Sequence, residues 1–250
     1  MKTVAGYLLP VAITFACARQ PATVNRQPAT LRVCADPNNL PYSSSHLTGF
    51  ENKIADLIAN DWNARVQYTW LPQRRGFARL TLKQGDCDVI LGVPSNYEQA
   101  ATTRPYYRST YVFVTRRDRR LGIVSLDDPQ LKRLKIGVQP IAPPAQALAA
   151  RGIVPVYSQD DIIRAVSNGD LDVAIMWGPQ AAWHARQQHV PLELTPLSPQ
   201  IDLPFLPFVF DISMGVRRGD NALKERLEQE LDRRRDDIDR ILDQYGVPRV

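Results

Sequence analysis

The chain has 250 residues, enough for one or two domains around a sizeable core. Its 44% hydrophobic and 23% charged residues are the balance of an ordinary folded soluble protein, which sets aside disordered and fibrous classes. The formal net charge is +5, but most of the arginine excess is mixed with aspartate, as in Asp232-Arg233-Arg234-Arg235-Asp236-Asp237. That pattern is a solvated helix face, so no nucleic-acid partner is expected, only a mild attraction to acidic partners or ligands.

Residues 1–18 read as a secretory signal peptide. Lys2 opens it, Val4 to Phe15 is an apolar run broken by Pro10, and Ala16-Cys17-Ala18 fits a small-x-small site with cleavage after Ala18. The alternative use of Cys17 as a lipoprotein acceptor is weakened by Thr14-Phe15-Ala16, which lacks the usual leucine. No other run approaches the roughly 20 apolar residues of a membrane span, so no transmembrane segment is expected after cleavage. Residues 19–30 are polar, with Pro21 and Pro28, and read as a flexible mature N-terminus.

Leu31 to Ala35 is the first expected strand, and Asp36 to Tyr42 a loop of turn formers. A helix is expected from Gly49 to Asn63, with Phe50, Ile54, Leu57, Ile58 and Trp62 as its buried stripe. Val66 to Trp70 alternates as a second strand. Phe77, Leu80 and Leu82 mark an amphipathic segment before Gly85-Asp86-Cys87-Asp88-Val89 and its apolar run. A polar loop from Ser95 to Thr103 leads to a strand in the later half of Pro105 to Thr115. Arg116 to Arg133 is charged and reads as a first crossover. Leu134 to Val138 opens a second lobe, and Ile141 to Arg151 is a helix ended by Gly152. Val154 to Tyr157 is an edge strand, and Ser158 an N-cap with Asp161 at N3. A second amphipathic segment with Ile162, Ile163 and Val166 precedes Gly169-Asp170-Leu171-Asp172-Val173. A helix around Gln180 to Gln188, a strand at Leu192 to Thr195 and a proline-punctuated crossover from Pro196 to Pro207 follow. Val209 to Val216 is a strand returning to the first lobe. Asn221 to Tyr245 is one long helix striped by Leu223, Leu227, Leu231, Ile238, Leu242 and Tyr245.

The two Gly-Asp-x-Asp-Val units stand 84 residues apart, from Gly85 to Gly169. In each, glycine closes a helix in the left-handed conformation and the apolar run is a buried strand. The fold expected is α/β with two similar lobes, each a mostly parallel sheet flanked by helices. The lobes comprise residues 31–115 plus 209–250, and 116–208 with the crossovers. Two connecting strands make a hinge, and the cleft between lobes is where small ligands bind. Export favours a disulfide between Cys34 and Cys87, the remaining cysteines; two free buried thiols are the alternative.

Support for catalysis is thin. His184 and His189 lie five residues apart, wrong for two ligands on one helix face, and His46 sits in a serine-rich loop. No P-loop, Gly-x-Ser-x-Gly or dinucleotide fingerprint occurs, and the Asp-Asp pairs lack calcium-loop spacing. No metal site, no cofactor and no enzymatic activity are expected.

The order of elements resembles type II periplasmic solute-binding proteins. The matches are Leu40-Pro41-Tyr42, Gly49-Phe50-Glu51, the repeated glycine–aspartate units, Pro105-Tyr106-Tyr107, and the returning strand with its terminal helix. A narrower resemblance is to MoxJ/XoxJ-type proteins. It rests on Arg32 to Pro41, Asp172 to Pro179, Asp211 to Asp220 and Tyr245-Gly246-Val247-Pro248. This resemblance implies a periplasmic accessory protein whose partner is a PQQ-dependent methanol or alcohol dehydrogenase, with quinone and metal held by the dehydrogenase. Amino-acid receptors of this fold carry an arginine shortly after the strand equivalent to Val89–Leu91, where this chain has Asn96-Tyr97-Glu98-Gln99. Their ligand-binding aspartate is replaced by Trp177-Gly178-Pro179, and their threonine or serine by Ala142-Pro143-Pro144. A free amino acid thus lacks both charge partners, which speaks against nutrient transport.

By position, the cleft residues are Asp36, Asn38, Asn39, Tyr42, Val93, Ser95, Gln139, Trp177 and Gly178. Tyr42 and Trp177 are expected to clamp a planar or apolar segment across the cleft, the alternative being that Trp177 fills the lobe interface. Three readings follow: an accessory protein, a small-molecule receptor of a transporter, or a dehydratase-type enzyme. The last would rest on Asp36 and Glu51 as its acid–base candidates.

Overall fold

The computed structural model describes residues 29–157, 161–202 and 205–250. The expected signal peptide, Cys17, segment 19–28 and the Ser158 cap lie outside them. Strand β1 (Ala29–Ala35) runs into a small hairpin, β2 (Asn38–Asn39) and β3 (Ser43–Ser44). Helix α1 (Phe50–Asp61) returns the chain to β4 (Ala64–Trp70), parallel to β1. The Asn52 side-chain oxygen Oδ1 holds the start of α1 by accepting from the Gly49 N–H at 3.1 Å and the Ser44 N–H at 3.0 Å. Helix α2 (Phe77–Leu80) and a 3-10 turn lead to β5 (Val89–Pro94). Then come β6 (Ala101–Thr102), β7 (Tyr107–Arg116), β8 (Ile136–Val138), α3 (Pro143–Ala150) and β9 (Val156–Tyr157). They are followed by α4 (Ile162–Asn168), β10 (Val173–Trp177), α5 (Gly178–Ala185) and β11 (Leu192–Pro196). The hairpin of β12 (Ile201–Asp202) and β13 (Leu206–Pro207) precedes β14 (Val209–Val216), α6 (Asn221–Arg233) and α7 (Arg235–Tyr245).

The main sheet runs β4-β1-β5-β14-β7-β10-β8-β9, with β6 on β14 and β11 on β7. Strands β4, β1 and β5 are mutually parallel, as are β10, β8 and β9, while β14 and β7 are antiparallel to their neighbours. Residues of alternating parity build two cores on each half. In β1, Leu31, Val33 and Ala35 face α1, α6 and α7, whereas Cys34 faces the layer of Phe77, Leu82 and Cys87. In β10, Val173 and Ile175 enter one core of the second lobe and Ala174 and Met176 the other. The chain passes between lobes inside β7. Tyr107 to Thr110 pair with β14, and Tyr111 to Arg116 pair with β10 and β11. Val112, Phe113 and Val114 therefore belong to the second lobe's cores, and the segment read as the first crossover, Arg116 to Arg133, follows the crossing instead of making it.

Both Gly-Asp-x-Asp units take the same geometry. Gly85 and Gly169 sit at φ +85° and +86°, closing a helical turn. The second aspartate of each unit anchors the strand that follows. The Asp88 N–H donates to the Arg32 carbonyl at 2.8 Å, and the Asp172 N–H to the Lys135 carbonyl at 2.9 Å. The carboxyl of Asp88 takes a two-pronged bond from Arg32 and a third, at 2.6 Å, from Arg217. That of Asp172 pairs with Arg119 at 3.0 Å. These residues hold the fold and lie outside the site described below.

Several elements differ from expectation for local reasons. Leu80 is 48% exposed, because α2 has only four residues and Phe77 and Ala78, with Leu82 just after it, are the ones that reach the core. Helix α3 begins two residues late: Ile141, at φ +66° and 91% exposed, stands in the turn before it. The N-cap of α4 is Asp161, whose carboxylate accepts from the Arg164 N–H at 3.0 Å. The terminal helix breaks at Arg234. Its leucine stripe has no apolar successor at 234 or 235. The Arg233 and Arg234 guanidiniums turn instead onto Asp61 at the end of α1, and the hydrogen bond from Arg234 holds the Asp61 carboxyl down to about 2. Cys34 and Cys87 form the disulfide, with Cα atoms 5.4 Å apart and 53 residues of separation.

Candidate ligand and partner cleft

Where the lobes meet, a cavity of about 270 Å³ opens between the two crossing strands and the ends of β5 and β10. Tyr42 comes from the loop between β2 and β3, Glu51 from the first turn of α1, and Gly92 and Pro94 from β5. Tyr107 and Tyr111 come from β7, Trp177 from the end of β10, and Phe210 and Ile212 from β14. Asn39 and Gln73 form the polar rim, bonded to each other at 3.2 Å. The rings are set edge to face. Trp177 meets Tyr111 with centroids 5.4 Å apart and Phe210 at 5.7 Å. Phe50, beneath the cavity, joins Tyr42 at 5.4 Å and Tyr107 at 6.1 Å. Such contacts fix ring orientation in addition to burying area.

Among the described residues, Glu51 is the one carboxyl in this lining. Its N–H is bonded to the Tyr42 carbonyl at 2.9 Å, and its side chain, 9% exposed, has no hydrogen-bond or ion-pair partner among the described residues. Burial pushes its carboxyl up to about 8, so at neutral pH it is mostly the uncharged acid. Burial, followed by neighbouring phenols and Glu51, raises Tyr42 well above the usual tyrosine range, while the indole of Trp177 acts the other way. Burial likewise raises Tyr107 well above that range and Tyr111 to about 12. Gly92 makes room for Glu51. A Cβ there would lie 2.0 Å from Oε1, and the residue sits at φ +71°.

The same glycine explains which β5 residues reach the cavity. β5 carries one residue more than β14 between the Ile90–Gly215 and Val93–Ser213 pairs. This bulge, with Gly92 in the left-handed region, shifts the alternation. Val89 and Leu91 face the α1 side, but so do Gly92 and Pro94. Val93 turns into the disulfide-side core, and Ser95 bonds to the Ser213 hydroxyl at 2.6 Å. Of the cleft residues read from the sequence, Asn39, Tyr42 and Trp177 come together in the cavity. Asp36 lies beneath the rim, accepting from the N–H groups of Asn38 and Gln73 at 2.8 and 2.6 Å. Asn38 is the backbone partner in that turn. Gln139 stands before α3, its carbonyl accepting from Ala142. Gly178 packs α5 onto β7, where a Cβ would lie 2.7 Å from the Thr110 carbonyl oxygen. Glu51, Gly92, Tyr107, Tyr111 and Phe210 were not among the residues read as cleft-lining. Gly49-Phe50-Glu51 and the tyrosine pair were the signals that pointed near them.

Beyond Gly92 the cavity continues into a groove of about 820 Å³ that shares Gln73, Gly92 and Pro94 with it. Arg74, Arg75 and Arg79 line this groove, and among the described residues none of their guanidiniums has a hydrogen-bonded or ionic partner. The arginines of the fold proper behave differently: Arg32, Arg151, Arg217 and Arg234 are all held by aspartates.

The family model of bacterial extracellular solute-binding proteins, family 3, matches residues 31–248. The chain belongs to this family. Within it the chain is a periplasmic binding protein of the MoxJ/XoxJ type. Protein MoxJ of Methylorubrum extorquens is 33% identical, over 88% of this chain and 81% of its own length. The structure of periplasmic binding protein XoxJ from Methylobacterium extorquens matches with a TM-score of 0.75 at 37% identity, covering 88% of this chain and 99% of that one. MxaJ from Methlophaga aminisulfidivorans matches at 0.78 with 25% identity, covering 88% and 100%. Among the described residues, no helix of this solute-binding protein is long and apolar enough to cross a membrane.

Proposed function

We propose that this is a noncatalytic periplasmic accessory protein that binds a PQQ-dependent methanol or alcohol dehydrogenase. The observation that carries the reading is the cleft's charge pattern. Among the described residues, the cavity lining holds no lysine or arginine to receive an amino-acid carboxylate, and Arg74, Arg75 and Arg79 stand unpaired along the adjoining groove. A receptor for free amino acids needs the first feature reversed, because a buried carboxylate without a charge partner is costly. Unpaired arginines along an open groove fit an acidic segment of a protein partner. Similarity to proteins called MoxJ over most of both chains supports the same direction. In this reading the cleft between the lobes is the docking side.

The test is capture from periplasmic extract of methanol-grown source cells with tagged chain from Arg19 onward. Recovery of a PQQ-dependent dehydrogenase, reduced when the three arginines are replaced by alanine, is expected. Recovery of none sinks the reading. A small-molecule receptor is the second reading, favoured by the aromatic cavity, and it predicts ligand-induced thermal stabilisation without protein capture.

A further inference from the structure

We propose that the Glu51 cavity is a binding site for a small organic cation of the alkylammonium class. Five aromatic side chains, Tyr42, Tyr107, Tyr111, Trp177 and Phe210, line it, and Glu51 is the one carboxyl among them. That carboxyl is almost wholly enclosed and faces the cavity without a partner among the described residues. A buried carboxyl has two stable states: neutral, or ionised against a cation. Among the described residues, no lysine or arginine lines the cavity, so the second state requires a cation from outside them. Aromatic walls around a lone acid are the chemistry that recognises an ammonium group, since ring quadrupoles attract its diffuse charge and the carboxylate balances it. The bulge at Gly92 keeps this acid in place, because only a residue without a Cβ leaves room for its oxygen.

Binding on this account draws a proton off Glu51. The titratable groups that act with it are the phenols of Tyr42, Tyr68 from β4, Tyr106 just before β7 and Tyr107 at its start. All four stay uncharged near neutrality, because burial raises each of them. Arg74, Arg75 and Arg79 stand beyond Gly92 in the groove. The one group in the cavity whose charge changes on binding is therefore Glu51, and close to one proton is released per ligand below about pH 8.

The experiment is calorimetric titration of the disulfide-bonded mature chain with tetramethylammonium and n-butylammonium, with n-pentanol as the uncharged analogue. The ammonium probes are expected to bind about tenfold or more tightly than the alcohol. Their affinity should rise between about pH 6 and about pH 8, and heats in buffers of different ionisation enthalpy should report proton release. Glu51→Gln, which keeps shape and removes the charge, should weaken the ammonium probes about tenfold or more and leave n-pentanol within about twofold. Trp177→Leu should weaken them while the chain stays folded by thermal melting. No binding by either ammonium probe overturns the proposal. So does equal binding by n-pentanol, or ammonium binding that survives Glu51→Gln with unchanged proton release. Each of these outcomes leaves dehydrogenase capture unaffected, so the two readings fail separately.

Discussion

Glu51→Gln also tests the electrostatics of the fold directly, without any ligand. The Glu51 carboxyl moves from an ordinary 4.5 in the unfolded chain to about 8 in the folded one, through burial. The folded chain therefore holds this proton more tightly, and raising the pH between those values favours the unfolded chain. Each tenfold difference in proton affinity is worth about 1.4 kcal/mol, so the whole window amounts to about 5 kcal/mol as a ceiling and about 3 kcal/mol at pH 7. Water entering the cavity lowers both figures. Glutamine mimics the neutral acid and carries no such dependence. Urea unfolding of both chains, disulfide intact, at steps from about pH 4.5 to about pH 8 reads the effect. The two should have similar stability at the acid end, with the variant pulling ahead as pH rises, by a few kcal/mol at the alkaline end. Parallel stability curves across the window would refute the placement of Glu51 as a buried, unpaired acid.

Other outcomes follow from the same geometry. Gly92→Ala forces a Cβ against the Glu51 oxygen at a left-handed φ, and a loss of about 3 kcal/mol in urea unfolding is expected. Pairing it with Glu51→Ala should recover part of that loss. Reducing the Cys34–Cys87 bond, which spans 53 residues, should cost about 4 kcal/mol in the chain-entropy model, read by melts with and without reductant. Asp88→Ala leaves Arg32 and Arg217 without their shared carboxylate and should cost about 2 kcal/mol. Burial raises that carboxyl but the two arginines more than reverse it, so its contribution is present above the ordinary carboxylate range and fades as pH falls through its lowered value. Replacing Arg74, Arg75 and Arg79 with alanine should leave unfolding within about 0.5 kcal/mol, since no intrachain partner is lost.

The strands and helices were legible wherever periodicity carried them. β14 spans the expected Val209 to Val216, and α1 buries Phe50, Ile54 and Ile58 at helical spacing. The paired Gly-Asp-x-Asp units were legible because left-handed glycine and a strand-anchoring aspartate leave a local signature. What failed depended on events that periodicity does not encode. Strict alternation along β5 puts Val93 and Ser95 on the cavity side. A single bulge, visible only once β14 is paired, gives those positions to Gly92 and Pro94. Glu51 was legible only as an acid–base candidate of the dehydratase-type reading. Its isolation in an aromatic cavity comes from β7 and β14, whose arrival the local sequence does not announce. The break at Arg234 has a trace in the missing apolar residue at 234 or 235, but its cause, Asp61, is distant in the chain.

We propose that the cleft face, with its unpaired arginines, docks a dehydrogenase. The most direct measurement is titration of the purified mature chain against the purified PQQ-dependent methanol dehydrogenase of the same cells. It would be run at low and raised salt, with the native chain and with R74A/R75A/R79A. A single saturable complex is predicted, weakened by salt and weakened again by the triple substitution. The absence of any complex at low salt, or a complex indifferent to both salt and the arginines, would contradict it.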